Sequence, residues 1–251
     1  MWTDPAVLAF VIIPLALVVA LFWGVSHASH RVHDTKAVRL RALRLTCVVA
    51  AVWMVVTWAA AESGVLRQWD ATPPPLALLV AGITGLAAAM AFTGYGSRLA
   101  HGLPLWTLVA VQGFRLPLEL AMHAMYERGI MPVQMSYSGR NFDIVTGITA
   151  LLVAWLVATG RGGRRLVLVW NVLGMILLIN IVTVAILSTP LFRYFGDDRL
   201  NVWITYPPFV WLPAVMVLAA LAGHLIVFRA TGVLQRPGAE PHLSTRQSWS
   251  G

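Results

Sequence analysis

The sequence QGFRLPLELAMHAMYERGIMPVQMSYSGRNFD, residues 112–143, places charged and amide side chains inside a chain that otherwise consists of long apolar runs. Its first half predicts a helix. At about 100° per residue, five of its polar side chains fall within an arc of roughly 80°. These form one polar stripe, Gln112, Arg115, Glu119, His123 and Tyr126. Helical rise places Arg115 about 16 Å beyond Pro104, near the middle of a hydrocarbon core about 30 Å thick. An ionisable group at that depth costs about 2.5–3.5 kcal/mol, so we expect the stripe to face the protein interior.

Arg115 and Glu119 lie one helical turn apart, a spacing that predicts an ion pair between them. Two hypotheses follow. The pair serves only helix packing, or Arg115 holds an anionic group while Glu119 exchanges protons. Pro117 favours the second hypothesis, because its ring frees the carbonyl of Gly113 from helical bonding and predicts a kink.

The segment GRNFD, residues 139–143, brings three further polar groups to the start of the next apolar run. Asn141 or Asp143 is expected to cap that helix, and a helix N-terminus also attracts anions. Arg140, Asn141 and Asp143 are therefore predicted to form the entrance of a ligand site. Asn180 is expected to add to its polar wall, or to hydrogen-bond between helices.

Composition indicates an integral membrane protein. The 251 residues are 59% hydrophobic and 11% charged, which excludes an ordinary soluble domain. The net charge of +8 comes from basic residues spread between apolar runs, a distribution that excludes a nucleic-acid-binding surface. The single cysteine, Cys47, excludes an intrachain disulfide. The N-terminal run lacks the basic region of a signal peptide, so we expect it to be retained as a span.

The apolar runs predict an all-α, polytopic protein with seven transmembrane helices in a single domain, residues 1–229. The predicted spans are 5–24, 44–61, 76–93, 104–126, 143–159, 166–188 and 207–228. The basic segment between the first two spans, which holds Lys36, is predicted to be a loop. Residues 230–251 are predicted to be a disordered cytoplasmic tail.

Orientation follows from the positive-inside rule. Most of the 18 Lys and Arg residues fall at one end of the predicted spans, and most acidic residues fall at the other. The N-terminus is therefore predicted outside and the C-terminus in the cytoplasm of a bacterial inner membrane. In this orientation the polar stripe opens outward, between the fourth, fifth, sixth and seventh spans.

The sequence bears on two cofactors, a copper ion and retinal. Glu119 and His123 lie one turn apart near four methionines that could bind Cu(I), namely Met122, Met125, Met131 and Met135. Methionine is also an ordinary core residue, and no HExxH motif is present. Seven spans with an outside N-terminus are also the organisation of rhodopsins. The only lysine is Lys36, outside every predicted span, so a retinal Schiff base is excluded.

The sequence therefore favours a pocket that binds a small polar or anionic molecule and transports it with proton coupling. A second hypothesis is a membrane enzyme in which Glu119 and His123 act as acid, base or metal ligand. A third is a structural membrane subunit, in which the charged residues serve packing alone.

Overall fold

Apolar runs fold as helices because a helix satisfies its backbone hydrogen-bonding groups internally. The computed structural model describes residues 3–233 and, within that range, contains helices and no β-strand. Its α-helices are α1 (Pro5–Arg31), α2 (Lys36–Glu62), α3 (Pro75–Phe92), α4 (Gly94–Gly102), α5 (Leu105–Ala110), α6 (Arg115–Glu127), α7 (Asp143–Ala158), α8 (Arg164–Leu187) and α9 (Leu218–Ala230). The all-α prediction is confirmed.

Five of the helical segments are long and apolar enough to cross a membrane: α1, α2, α3, α8 and Leu212–Ala230. The last begins as a π-helix, Leu212–Val217, that continues into α9. The other two predicted spans are different. One is divided into α5 and α6, and α7 has only 16 residues, about 24 Å of helix. These two segments carry the polar residues singled out above.

A 3₁₀-helix, Val111–Phe114, joins α5 to α6. It lies where a kink is expected between Gly113 and Pro117, because Pro117 has no N–H to donate to the Gly113 carbonyl. The predicted fourth span is therefore helical from Leu105 to Glu127, with a 3₁₀ turn directly before Arg115, the first residue of α6.

The predicted loop between the first two spans is mostly helical. α1 continues to Arg31, and α2 begins at Lys36 after an N-cap at Thr35. Lys36 is thus the first residue of α2 rather than a loop residue. Hydropathy marks only the part of a helix that lies in hydrocarbon, and these helices extend past it. The connection after α3 is also helical, as α4. Most of the predicted tail, residues 234–251, lies outside the described residues.

The other helices pack around the α5–α6 segment. α7 lies against α5 and α6, α1 lies against α4 and α6, and α3 lies along α9. One apolar cluster, which includes Phe10, Met125 and Met216, surrounds the α6 end of the bundle. A second, which includes Ala28, Val109 and Val227, surrounds the α4 and α5 end. The apolar residues of α6 belong to the first cluster, and those of α5 belong to the second.

Candidate functional site

An ion pair between two helices forms the centre of the site. Arg115 at the start of α6 donates from Nη1 to Oδ1 of Asp143, the first residue of α7, at 2.6 Å. The two side chains are 1% and 7% exposed. This contact joins α6 to α7, while Nε and Nη2 of Arg115 are buried with no hydrogen-bond partner among the described residues.

Gly147 permits this close approach. A Cβ at Gly147 would lie 2.4 Å from the backbone nitrogen of Leu116, directly after Arg115. A Cβ at Gly113 would lie 2.6 Å from a methyl group of Leu151. Both glycines face the other helix, so the α6 and α7 backbones meet as small residues allow in membrane bundles.

Glu119 takes a different partner from the one predicted. The i,i+4 spacing predicts a pair with Arg115, but the ion pairs described within residues 3–233 join Arg115 to Asp143 instead. Glu119 accepts from Asn141 Nδ2 through Oε1 at 2.9 Å and Oε2 at 2.7 Å. The predicted intrahelical pair is therefore wrong. Helical spacing ranks neighbours on one helix, whereas the close packing of α7 supplies a nearer carboxylate.

Asn141 connects the two halves of the site. Its Nδ2 also donates to the carbonyl of Met135 at 3.0 Å, and its Oδ1 accepts from the backbone N–H of Asp143 at 3.1 Å. The N-cap position itself is Phe142, so neither predicted residue occupies it; Asn141, one residue earlier, accepts from the first N–H of α7, and Asp143 is the first helical residue and pairs with Arg115. Asn141 holds Glu119 and the start of α7 together.

Two carboxyl groups, Glu119 and Asp143, share this interior with one guanidinium. When both carboxyl groups are ionised, these three side chains carry a net charge of −1. When one carboxyl group is protonated, they are neutral. In a medium of low dielectric constant both alternatives have large effects on whatever binds there. This imbalance is the main electrostatic feature of the site.

A cavity of about 240 Å³, here called the outer cavity, opens beside these groups. Arg115, Glu119, Asn141 and Asp143 contribute to one wall. The rest is mostly apolar and comes from α3, α6, α8 and the π-helix, including Leu76, Leu118, Leu178, Leu212 and Met216. The predicted cavity involved the fourth to seventh spans, and the structure adds α3.

His123 and Tyr126 lie outside the outer cavity lining. His123 Nδ1 lies 2.9 Å from Ser136 Oγ, and its ring stacks on Tyr137 with centroids 4.3 Å apart. The centroid of the Tyr126 ring lies 5.8 Å from the centroid of the His123 ring. Because Glu119 and His123 have separate partners, the structure does not bring them together as an acid–base or metal-binding pair. No group of three or more His, Cys, Asp or Glu side chains suited to a metal is found among residues 3–233.

Arg140 and Asn180 are also displaced from their predicted roles. The Arg140 guanidinium lies over the ring of Phe195, 5.2 Å from its centroid. Asn180 donates to the Arg140 carbonyl at 2.8 Å, so it fixes the loop before α7. Neither side chain lines the outer cavity.

Gln112 belongs to a second buried polar group, which the sequence does not predict. Its Nε2 donates to the carbonyl of Ala220 at 3.2 Å. Nearby on α8 and α9, His224 Nδ1 lies 2.7 Å from Asn171 Oδ1, and Asn171 Nδ2 donates to the His224 carbonyl at 3.1 Å. All three side chains are fully buried. Asn171 and His224 each interrupt an apolar run, and that interruption was the available signal.

Comparison with known proteins gives one match. The family described as a domain of unknown function (DUF8737) matches residues 72–231, which include α3 to α9 and every residue of the site. No curated protein and no solved structure matches the chain significantly.

Proposed function

The chain belongs to the DUF8737 family, and we propose that it is a membrane protein whose outer cavity binds a small amphiphilic molecule in competition with a proton on Glu119. The observation that carries this proposal is the outer cavity itself. Its walls are largely apolar, and its buried polar wall holds two carboxyl groups and one guanidinium. Ligand sites of this kind use apolar walls for affinity and few polar groups for orientation.

The proposal includes seven spans, with α5 and α6 together as the fourth and α7 as the fifth. With that path, basic residues at the ends of several helices share one side of the membrane: Arg31, Lys36, Arg98, Arg161 and Arg229. The positive-inside rule assigns this side to the cytoplasm, here of a bacterial inner membrane. Glu119 and Asn141 then lie toward the outside, and the outer cavity opens outward.

The charge balance changes the expected ligand. Arg115 is the anion-binding group that the sequence predicts, but Asp143 already neutralises it at 2.6 Å. An anion would add to the uncompensated negative charge of Glu119, whereas a cation or a hydrogen-bond donor would balance it. We therefore propose an amphiphile with a cationic or donating head group.

Competition at Glu119 provides a basis for transport. A proton and a cationic head group neutralise the same carboxylate, so binding of one opposes binding of the other. Intramembrane carboxyl groups serve proton-coupled transporters in this way. In this proposal Glu119 exchanges its proton for the ligand on the outer side.

The test compares three probes of equal chain length, octylamine, octanol and octanoate, on the purified protein in nanodiscs. Octylamine is expected to raise the unfolding temperature, by the equivalent of about 2.7 kcal/mol at 100 times its Kd. Octanoate is expected to have little effect. The apparent Kd for octylamine should fall as pH rises, by up to about tenfold per pH unit while Glu119 remains protonated.

Glu119→Gln removes the excess carboxylate with little change of shape, so the octylamine shift should disappear. Glu62→Gln is the matched control, because Glu62 is an exposed carboxyl at the end of α2. Stabilisation by octanoate equal to that by octylamine, or an unchanged shift in Glu119→Gln, would refute the proposal. A purely structural subunit predicts altered stability in Glu119→Gln with no probe response in either protein.

A further inference from the structure

The exposed part of the outer cavity lining lies on two helices that can cross a membrane. Among the described residues that line this cavity, three are exposed and the others are buried or partly buried; the three are Thr84, Ile179 and Thr183. Thr84 belongs to α3, and Ile179 and Thr183 belong to α8. Both helices are long and apolar enough to span a bilayer. We call this open side, between α3 and α8, the lateral mouth.

The lateral mouth exists because α3 and α8 do not pack closely against each other. α3 lies along α9 and contacts α4 and the π-helix, whereas α8 lies against α7 and α9. The hydroxyl of Thr84 donates to the Val80 carbonyl of its own helix at 2.9 Å. The hydroxyl of Thr183 likewise donates to the Ile179 carbonyl at 2.7 Å. These hydrogen bonds do not join the two helices, so a gap remains between them.

The end of the outer cavity that points toward the loops is covered. The lining residues at this end are all buried, namely Met135, Thr189, Asn201 and Ile204. Asn201 is held against the end of α8, because its backbone N–H donates to the Ser188 carbonyl at 2.7 Å and its Nδ2 donates to the Ala185 carbonyl at 3.2 Å. Gln134 Nε2 donates to the Arg199 carbonyl at 2.7 Å and ties the same loop to the segment before α7. The cavity is therefore closed toward the loops and open toward the side.

The depth of the lateral mouth corresponds to one leaflet. On α3 the lining residues extend from Leu76 to Thr84, and on α8 they extend from Leu178 to Ile186. Each stretch rises about 12 Å, which is close to half of a hydrocarbon core about 30 Å thick. Leu76 lies near the start of α3, and Ile186 lies near the end of α8. In the seven-span arrangement both of these helix ends are on the outer side, so the mouth borders the outer leaflet.

We infer that ligands enter the outer cavity sideways, from the outer leaflet of the bilayer, through the lateral mouth. The substrate class is then a single-chain amphiphile dissolved in the membrane, with its head group at Glu119 and its chain between α3 and α8. A chain that takes this route stays in apolar surroundings throughout, so no apolar surface is exposed to water. The chemistry of the head group rests on the proposed function, whereas the route does not depend on it.

The test uses hexadecylamine that carries a photoreactive diazirine close to its amine and is dissolved in the bilayer of nanodiscs that contain the unaltered protein. After illumination, mass spectrometry locates the cross-links. Met216 lines the outer cavity, whereas Met125 lies in an apolar cluster outside its lining, and the two are almost equally buried. We expect cross-links to Met216 and none to Met125. Cross-links confined to the exposed faces of the helices would overturn the inference.

Bulky residues at the lateral mouth provide the second test. Thr84→Trp with Ile179→Trp narrows the mouth from both helices, so the cross-links to Met216 should be lost. Leu78→Trp with Ile176→Trp is the matched control, because it adds the same bulk to α3 and α8 at residues that are 58% and 55% exposed and lie outside the cavity lining. The control should retain the cross-links. Equal cross-linking in the two double variants would contradict entry through the mouth.

Two results distinguish failure of the route from failure of the proposed function. If Met216 is not cross-linked while octylamine still stabilises the protein, the ligand enters from water; the route is then wrong and the proposed function stands. If Met216 is cross-linked equally in the unaltered protein and in Glu119→Gln, and octylamine has no effect on stability, the lateral mouth is retained and the role of Glu119 is wrong.

Discussion

At the scale of single residues, the buried charges determine how the protein responds to substitution. Arg115 has Asp143 as its ion-pair partner, and both side chains are nearly inaccessible. A charge left in such a place without its partner is far more costly than an exposed one. The other ion pairs of the structure are more exposed and contribute little.

Asp143→Asn should therefore destabilise the protein by about 3–5 kcal/mol, because it leaves the Arg115 guanidinium buried without its partner. The measurement is the free energy of unfolding in mixed micelles. Asp197→Asn is the control, since Asp197 pairs with Arg193 at 3.0 Å on the surface and should change stability by less than about 1 kcal/mol. Equal effects in the two variants would show that the Arg115 pair is not buried as described.

The pair of Asn171 and His224 gives a second prediction at this scale. Each bonds the other, so His224→Phe alone leaves Asn171 Oδ1 buried without a donor and should cost about 1–3 kcal/mol. Asn171→Leu should cost a similar amount.

The double variant, Asn171→Leu with His224→Phe, should cost clearly less than the sum of the two single variants, because it removes both partners of the Nδ1–Oδ1 contact and leaves only the carbonyl of residue 224 without its side-chain donor. Unfolding free energies of the four proteins complete the double-mutant cycle. Strict additivity would mean that the two side chains act independently.

At the scale of elements, the sequence predicts which helices form better than it predicts which residues of different helices meet. Hydropathy placed α3, α7 and α8 within one or two residues of their ends, because burial in hydrocarbon determines where those apolar runs start and stop. Hydropathy underestimated the lengths of α1 and α2, because their charged ends remain helical outside the hydrocarbon. Helical spacing found the buried residues Gln112, Arg115 and Glu119. It did not identify Asp143 as the partner of Arg115, because that contact depends on how closely two helices pack.

The glycines between α6 and α7 make that packing testable. Gly147→Ala places a Cβ 2.4 Å from the backbone of Leu116, and a backbone atom cannot rotate away as a side chain can. We expect a loss of about 3 kcal/mol, since α7 must move and the ion pair must lengthen.

Gly85→Ala is the matched control, because nothing lies within 4 Å of a Cβ at Gly85 in α3. There the higher helix propensity of alanine should leave stability unchanged or raise it by up to about 1 kcal/mol. Thermal unfolding of both variants measures the difference. A mild effect of Gly147→Ala would indicate that α6 and α7 are farther apart than the structure shows.

At the scale of the whole molecule, membrane spans need long apolar helices, whereas the site needs charged residues at membrane depth. The segments long and apolar enough to span a membrane as uninterrupted helices are α1, α2, α3, α8 and Leu212–Ala230. The α5–α6 segment, with its 3₁₀ turn, and the short α7 hold the buried charged residues and pack between them. Backbone groups freed at such a turn at membrane depth are tolerated where the surrounding protein satisfies them. The parts of the chain least typical of a membrane span therefore supply the charged part of the outer cavity wall, while α3, α8 and the π-helix supply most of its apolar part.

The path of these two segments determines the topology, and it can be tested by the side on which their connection lies. If α5 and α6 cross the membrane, His101 at the end of α4 and Ile130 after α6 lie on opposite sides. If α5–α6 and α7 instead enter and leave from the cytoplasmic side, Ile130 lies at the turn between them and does not reach the outer surface. Both are exposed.

In a Cys47→Ser background, we expect Ile130→Cys to react with a membrane-impermeant maleimide in intact cells. His101→Cys should react only after permeabilisation, and Arg161→Cys, beyond α7, should behave like His101→Cys. Absence of labelling of Ile130→Cys in intact cells would replace the seven-span arrangement with a five-span one.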